Sequence, residues 1–173
     1  MKIAVVGILL AAASACAFAQ DAANPVTASA KEVFERQSAF MIAAAEQMPV
    51  DKYGYRPTPD QWTYGKIVSH VIGGNYAVCG MLSGDGPAKG PDVTETTPKD
   101  QLVSVLKQSF ETCQKALDGL QDSSLGVTIT YFRGAKKPRA RALIELTNDL
   151  VDHYSQMASY LRLSGMTPPS AKK

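Results

Sequence analysis

Two histidines are all the sequence has, His70 and His153, and each falls among apolar residues at helical spacing. His70 sits between Ile67 and Val71, and His153 between Leu150 and Met157. Asp149 stands four residues before His153, so a helix sets its carboxylate one turn away on the same side. Two imidazoles and a carboxylate drawn from two helices are a ligand set for a divalent cation. Zinc, nickel and ferrous iron all accept those donors, and residue type alone does not choose among them. Gln156 and Tyr160 continue the same side and are placed to line the cavity or to bond the outer nitrogen of an imidazole. The competing reading is simpler: a core-facing histidine is commonly satisfied by a backbone carbonyl or a hydroxyl, with no metal involved. Asp152, next to His153, points elsewhere on a helix and reads as a solvated carboxylate. No Ser/His/Asp or Cys/His nucleophilic arrangement suggests itself, since both histidines belong to this set.

Such a site needs rigid elements behind it, and the pattern supplies four helices. From Thr27, the residues Val33, Phe34, Gln37, Phe40, Met41 and Ala44 recur at steps of three and four until Pro49, with Thr27 or Ser29 as cap. Thr63 caps a second helix running to about Leu82, whose inner stripe is Ile67, His70, Val71, Gly74, Val78 and Met81. Its Gly73-Gly74 pair weakens it by about 1 kcal/mol per glycine and is tolerable where another backbone packs close. After a Gly/Pro-rich loop, Thr97 caps a third helix with Pro98 at its first position, and Gly119 ends it. The fourth and longest covers residues 139–164, with Leu143, Leu146, Leu150, His153, Met157 and Leu161 inward and Gly165 as terminator. Between the last two, residues 127–132 are β-branched and aromatic. A lone strand has no partner, so an extended connection packed on the bundle is expected there. Four amphipathic helices without sustained strand alternation mean an all-α four-helix bundle.

The chain has 173 residues, 45% of them hydrophobic and 20% charged, enough for one domain with a real core. A formal charge of +2 gives no support to a nucleic-acid binder. The cluster Arg133, Lys136, Lys137, Arg139 and Arg141 reads as a solvated turn. Residues 1–19 look like an address: Lys2, an apolar run from Ile3, and the small-x-small ending Ala17-Phe18-Ala19 mark a secretory signal peptide cleaved after Ala19. The alternatives are an uncleaved anchor, since the run approaches spanning length, and a lipoprotein cysteine at Cys16. Cleavage leaves residues 20–173 as a single domain, with no further stretch able to span a bilayer, and implies a periplasmic or secreted protein. Two cysteines then remain, Cys79 and Cys113, and an even pair in an oxidising compartment favours a disulfide between them over two buried thiols.

Two segments resemble a known family. Trp62-Thr63-Tyr64-Gly65-Lys66-Ile67-Val68-Ser69-His70, preceded by Tyr55-Arg56-Pro57-Thr58-Pro59, is similar to a motif of the DinB-like superfamily. So is the end of the chain, from His153-Tyr154-Ser155-Gln156 through Tyr160-Leu161-Arg162-Leu163-Ser164-Gly165-Met166-Thr167-Pro168-Pro169. The resemblance spans residues 33–169, nearly all of the chain that cleavage would leave. It implies an up-down-down-up bundle, a homodimer, and a divalent metal held by one histidine of the second helix and two of the last, four residues apart. His70 and His153 fall on the first and third of those positions. Asp149 stands where the second histidine is usual, and Ser155 replaces the usual glycine. The carboxylate is a sound ligand, yet it leaves metal identity open. Relatives include thiol S-transferases, in which the metal acidifies a small thiol cofactor; export argues against that role, because such cofactors are cytoplasmic. A metal-dependent hydrolase or transferase is one reading. A non-catalytic periplasmic module that binds a metal or small ligand, or pairs with itself, is the other. In the second reading Tyr53, Tyr55, Trp62 and Tyr64 form a ligand rim or merely cap the end of the core.

Overall fold

The structure, a computed structural model, describes residues 23–172. The expected signal peptide and Cys16 lie outside the described residues. Four helices make up the frame: α1 (Pro25–Gln47), α2 (Tyr64–Ser83), α3 (Lys99–Asp118) and α4 (Arg139–Leu163). A short antiparallel hairpin, β1 (Thr128–Thr130) and β2 (Lys136–Pro138), precedes α4. No described helix is long and apolar enough to cross a membrane.

The helix directions follow from which ends meet. Lys99 at the start of α3 donates to the carbonyls of Glu46 and Met48 at the end of α1, both at 2.8 Å, so these helices run opposite ways. Asn75 donates to Ser109 at 2.9 Å, and one turn on Cys79 is bonded to Cys113, so α2 and α3 run the same way. The Tyr160 hydroxyl reaches the Trp62 carbonyl just before α2, while the other end of α2, at Gly84, approaches Arg139 at the start of α4. Phe40 stacks on Tyr154, and Gln47 donates to the Thr167 carbonyl beyond α4, which sets α1 alongside α4. The result is an up-down-down-up four-helix bundle. Parallel α2 and α3 require the chain to travel back along the bundle between them. Residues 84–98 do this pressed against α2. A Cβ at Gly80 would lie 2.6 Å from the Gly86 carbonyl oxygen, and one at Gly65 would lie 2.5 Å from that of Glu95. These two glycines are where backbone packs close. The Gly73-Gly74 pair, expected to serve that purpose, does not: nothing lies within 4 Å of a Cβ at Gly73, and Gly74 faces only the Asp149 carboxylate.

Three local expectations are corrected. The α1 amides are capped by neither Thr27 nor Ser29 but by Asp122, which accepts from Val26 N at 2.9 Å and Thr27 N at 2.8 Å. A carboxylate from a distant turn thus takes two of the free donors a helix start presents. Pro98 is extended (ψ 139°) and stands before α3, while the Thr97 hydroxyl is taken by the amide of Thr94. Residues 128–130 do find a strand partner, with Ile129 opposite Lys137. That partner is wholly exposed and ends in proline, as an edge strand can, so it carries no alternating pattern to read. Thr63 does cap α2, accepting from Lys66 N at 3.0 Å, and Gly84 (φ +100°) ends it in the left-handed region. The Cys79–Cys113 disulfide is formed and buried.

Candidate metal centre

Facing positions of α2 and α4 bring His70, Asp149 and His153 together. One ligand atom from each lies within 4.8 Å of the others. His153 Nε2 is 3.3 Å from Asp149 Oδ1, the one-turn spacing of the two residues realised on α4. The rings of His70 and His153 meet edge to face at 4.8 Å between centroids. His153 is buried, whereas His70 is partly open to a cleft. Among the described residues neither imidazole is hydrogen-bonded to a backbone carbonyl, and His153 Nδ1 is buried with no partner at all. A buried polar atom left in that state is costly, so the reading of two histidines merely satisfied by the core is not what the structure presents.

The two imidazoles are driven apart in basicity. Burial lowers the pKa of His70, and the neighbouring His153 lowers it further, with Asp149 only partly offsetting them. For His153 burial also opposes charge, but hydrogen bonding to Asp149, the charges of Asp149 and Asp152, and the Gln156 side chain together raise its pKa. His70 is therefore the weaker base of the two, while the Asp149 carboxylate favours the protonated form of His153. A cation bound here competes with the proton for His153, with the Lys66 charge opposing it at His70 and the Asp149 carboxylate favouring it.

Trp62 closes one side of the group. Its ring lies 4.8 Å from that of His70 and nearly parallel to that of His153 at 6.0 Å. It sits over both imidazoles rather than at a remote end of the core. The Tyr160 hydroxyl, expected to line the cavity or reach an imidazole, instead donates to the Trp62 carbonyl at 2.6 Å and so fixes the residue that covers the site. Gln156 stays beside His153 while its amide nitrogen donates to Asp152 at 3.0 Å. Tyr53 and Tyr64 are buried, with the Tyr53 hydroxyl on the Ala45 carbonyl, so they belong to the core and not to a rim. On the other side a cleft of about 670 Å³ opens between α2, α4 and the turn joining the hairpin strands. His70 and Asp149 stand on its wall together with Gly73, Phe132, Arg133 and Glu145. The last four were not legible as site residues: Arg133 reads in sequence as one of a run of surface charges, and nothing in its spacing ties it to α2.

The DinB superfamily model matches residues 34–157. The chain belongs to the DinB superfamily. The fold similarity extends along the whole DinB bundle. A DinB-like protein from Bacillus cereus superimposes with a TM-score of 0.67 at 15% identity, covering 81% of this chain and 93% of its own. YfiT from Bacillus subtilis, described as a probable metal-dependent hydrolase with an unusual four-helix bundle topology, gives 0.63 at 14% identity, covering 85% and 99%. A mycothiol-dependent maleylpyruvate isomerase gives 0.63 at 11% identity, covering 76% of this chain but 60% of its own. No curated protein matches the sequence. Identities this low establish the DinB fold and leave the reaction to be argued from the site.

Proposed function

We propose that His70, Asp149 and His153 hold one divalent cation and that the protein is a metal-dependent hydrolase acting on a small molecule in the adjoining cleft. The observation that carries this reading is the convergence of three donors within 4.8 Å, with neither imidazole engaged by the backbone. Two imidazoles and one carboxylate are the ligand number and type of catalytic rather than closed structural zinc sites, and they suit nickel or ferrous iron equally. Such an ion supplies Lewis-acid polarisation and acidifies water at neutral pH. The residues of this chain do the rest. His70 and His153 would present ring nitrogens to it, the proton competing with the ion for His153. Asp149 contributes the only anionic donor, and Trp62, held by Tyr160, keeps water from one flank. That the fold is shared with a protein described as a probable metal-dependent hydrolase supports the choice of reaction.

A binding module without turnover is the competing reading, and one observation favours it. Glu145, the other carboxylate in the cleft, is occupied by Arg141 and by the Tyr131 hydroxyl, so among the described residues the cleft lining offers no free carboxylate as a base. Titration with zinc, nickel and ferrous iron, followed by a panel of esters, amides and phosphoesters, separates the two. Turnover that needs added metal and is lost in His153→Ala is the expected result. Stoichiometric metal without turnover on any class would leave the module. We also propose that the protein is exported to the periplasm or beyond, which the buried disulfide and the character of residues 1–19 support.

A further inference from the structure

We propose that the cleft beside the histidines selects a small anionic molecule with an apolar body, its anionic end met by Arg133 and its body lying on Gly73. This deepens the metal-centre reading and rests on it, since the other end of the molecule reaches His70 and Asp149.

Two independent features point to it. The first is Gly73, a glycine in the middle of a long helix, where it weakens the helix by about 1 kcal/mol relative to alanine. At Gly65 and Gly80 a close backbone explains the glycine; at Gly73 nothing lies within 4 Å of the place a Cβ would occupy. The fold does not need this glycine. What its missing side chain leaves is space on the cleft wall, one turn from His70. The second is Arg133, the one non-glycine residue with a left-handed backbone among those described (φ +57°). It stands at the tip of the hairpin turn, on the cleft, and its guanidinium has no ion-pair or hydrogen-bond partner among the described residues. The cleft's acidic side chains are otherwise committed. Glu145 pairs with Arg141 and Tyr131, and Asp149 with His153. Arg133 is thus the uncompensated charge of the cleft, on a fork of donors suited to a carboxylate or phosphate. Phe132 beside it is 37% exposed and gives the cleft an apolar face, as do Ala77 and Val78. An anionic group, an apolar middle and a metal-seeking group are therefore complementary to Arg133, to the apolar residues and to the His70/Asp149 pair that line the cleft.

The test uses zinc-loaded protein and matched probes: mono-hydroxamates of straight-chain dicarboxylic acids of graded length, against the same hydroxamates with the free carboxyl replaced by a primary amide. Zinc affinity is measured first and separately. The acid is expected to bind roughly fivefold tighter than the amide at the best length, which is about 1 kcal/mol. The preference should vanish in Arg133→Gln, with zinc affinity unchanged. Gly73→Leu should weaken both probes while raising thermal stability, which excludes misfolding as the cause. Equal affinity of acid and amide for zinc-loaded wild type, or a preference that survives Arg133→Gln, overturns the proposal while leaving the metal centre standing. Failure to bind zinc at all refutes the metal-centre reading, and this proposal with it.

Discussion

Reducing the disulfide should cost this bundle a large share of its stability, and the size follows from the chain between its ends. Cys79 and Cys113 are 34 residues apart. Closing a loop of that length removes roughly 13 cal/mol/K of entropy from the unfolded chain, or about 3.8 kcal/mol at 25 °C. A domain of this size is held by about 5–15 kcal/mol in all, so the bond accounts for a quarter or more. With an unfolding entropy of about 2 cal/mol/K per residue over the described helices and turns, the loss corresponds to a fall in Tm of about 12 °C. The effect is not only global. The bond locks α2 against α3, one turn after Asn75 meets Ser109, and thereby fixes the face of α2 that carries His70. Urea unfolding of the oxidised protein, of the protein in reductant and of the Cys79→Ala/Cys113→Ala double variant measures the difference at constant m-value. A change below about 1 kcal/mol, or two freely reactive thiols in the native unreduced protein, would refute the reasoning.

Gly73→Ala should stabilise the protein by about 1 kcal/mol, read as a Tm rise of a few degrees, because the helix gains a better residue and the methyl meets nothing; an unchanged or lower Tm would show that the position is packed. Trp62 is the sole tryptophan and lies on both imidazoles, so its emission reports their charge. In metal-free protein it should fall as pH is lowered through a midpoint above 6.5, the direction in which His153 is shifted, and the transition should disappear in His153→Ala. The corresponding stability has a definite sign: a raised histidine pKa stabilises the fold fully below 6.5, and that contribution is lost as pH rises through the folded value. Light scattering is expected to give the mass of a homodimer, as the family resemblance implies, and a monomeric mass would overturn that expectation.

The four helices were legible because each buries one stripe, and the period of that stripe is written into the chain. The same holds for the proximity of Asp149 and His153, a pair within one helix whose spacing fixes its geometry. Their meeting with His70 needed only that both helices turn their apolar faces inward. Illegible features depend on partners distant in sequence. Asp122 caps a helix that starts nearly a hundred residues earlier, and a strand of two lysines and a proline pairs with Thr128–Thr130 at an edge where no apolar alternation is required. Tyr160 lies on the expected side of α4, yet its hydroxyl finds the Trp62 carbonyl, 98 residues away in the chain. Arg133 owes its place over the cleft to a left-handed turn that its residue type does not announce.

The central claim is tested most directly by elemental analysis and calorimetric titration of the untagged protein with zinc and nickel. The account predicts one ion per chain, with proton release that grows as the pH is lowered and loss of binding in His70→Ala and in Asp149→Ala. Wild-type protein that is metal-free as purified and shows no heat with either ion would contradict it.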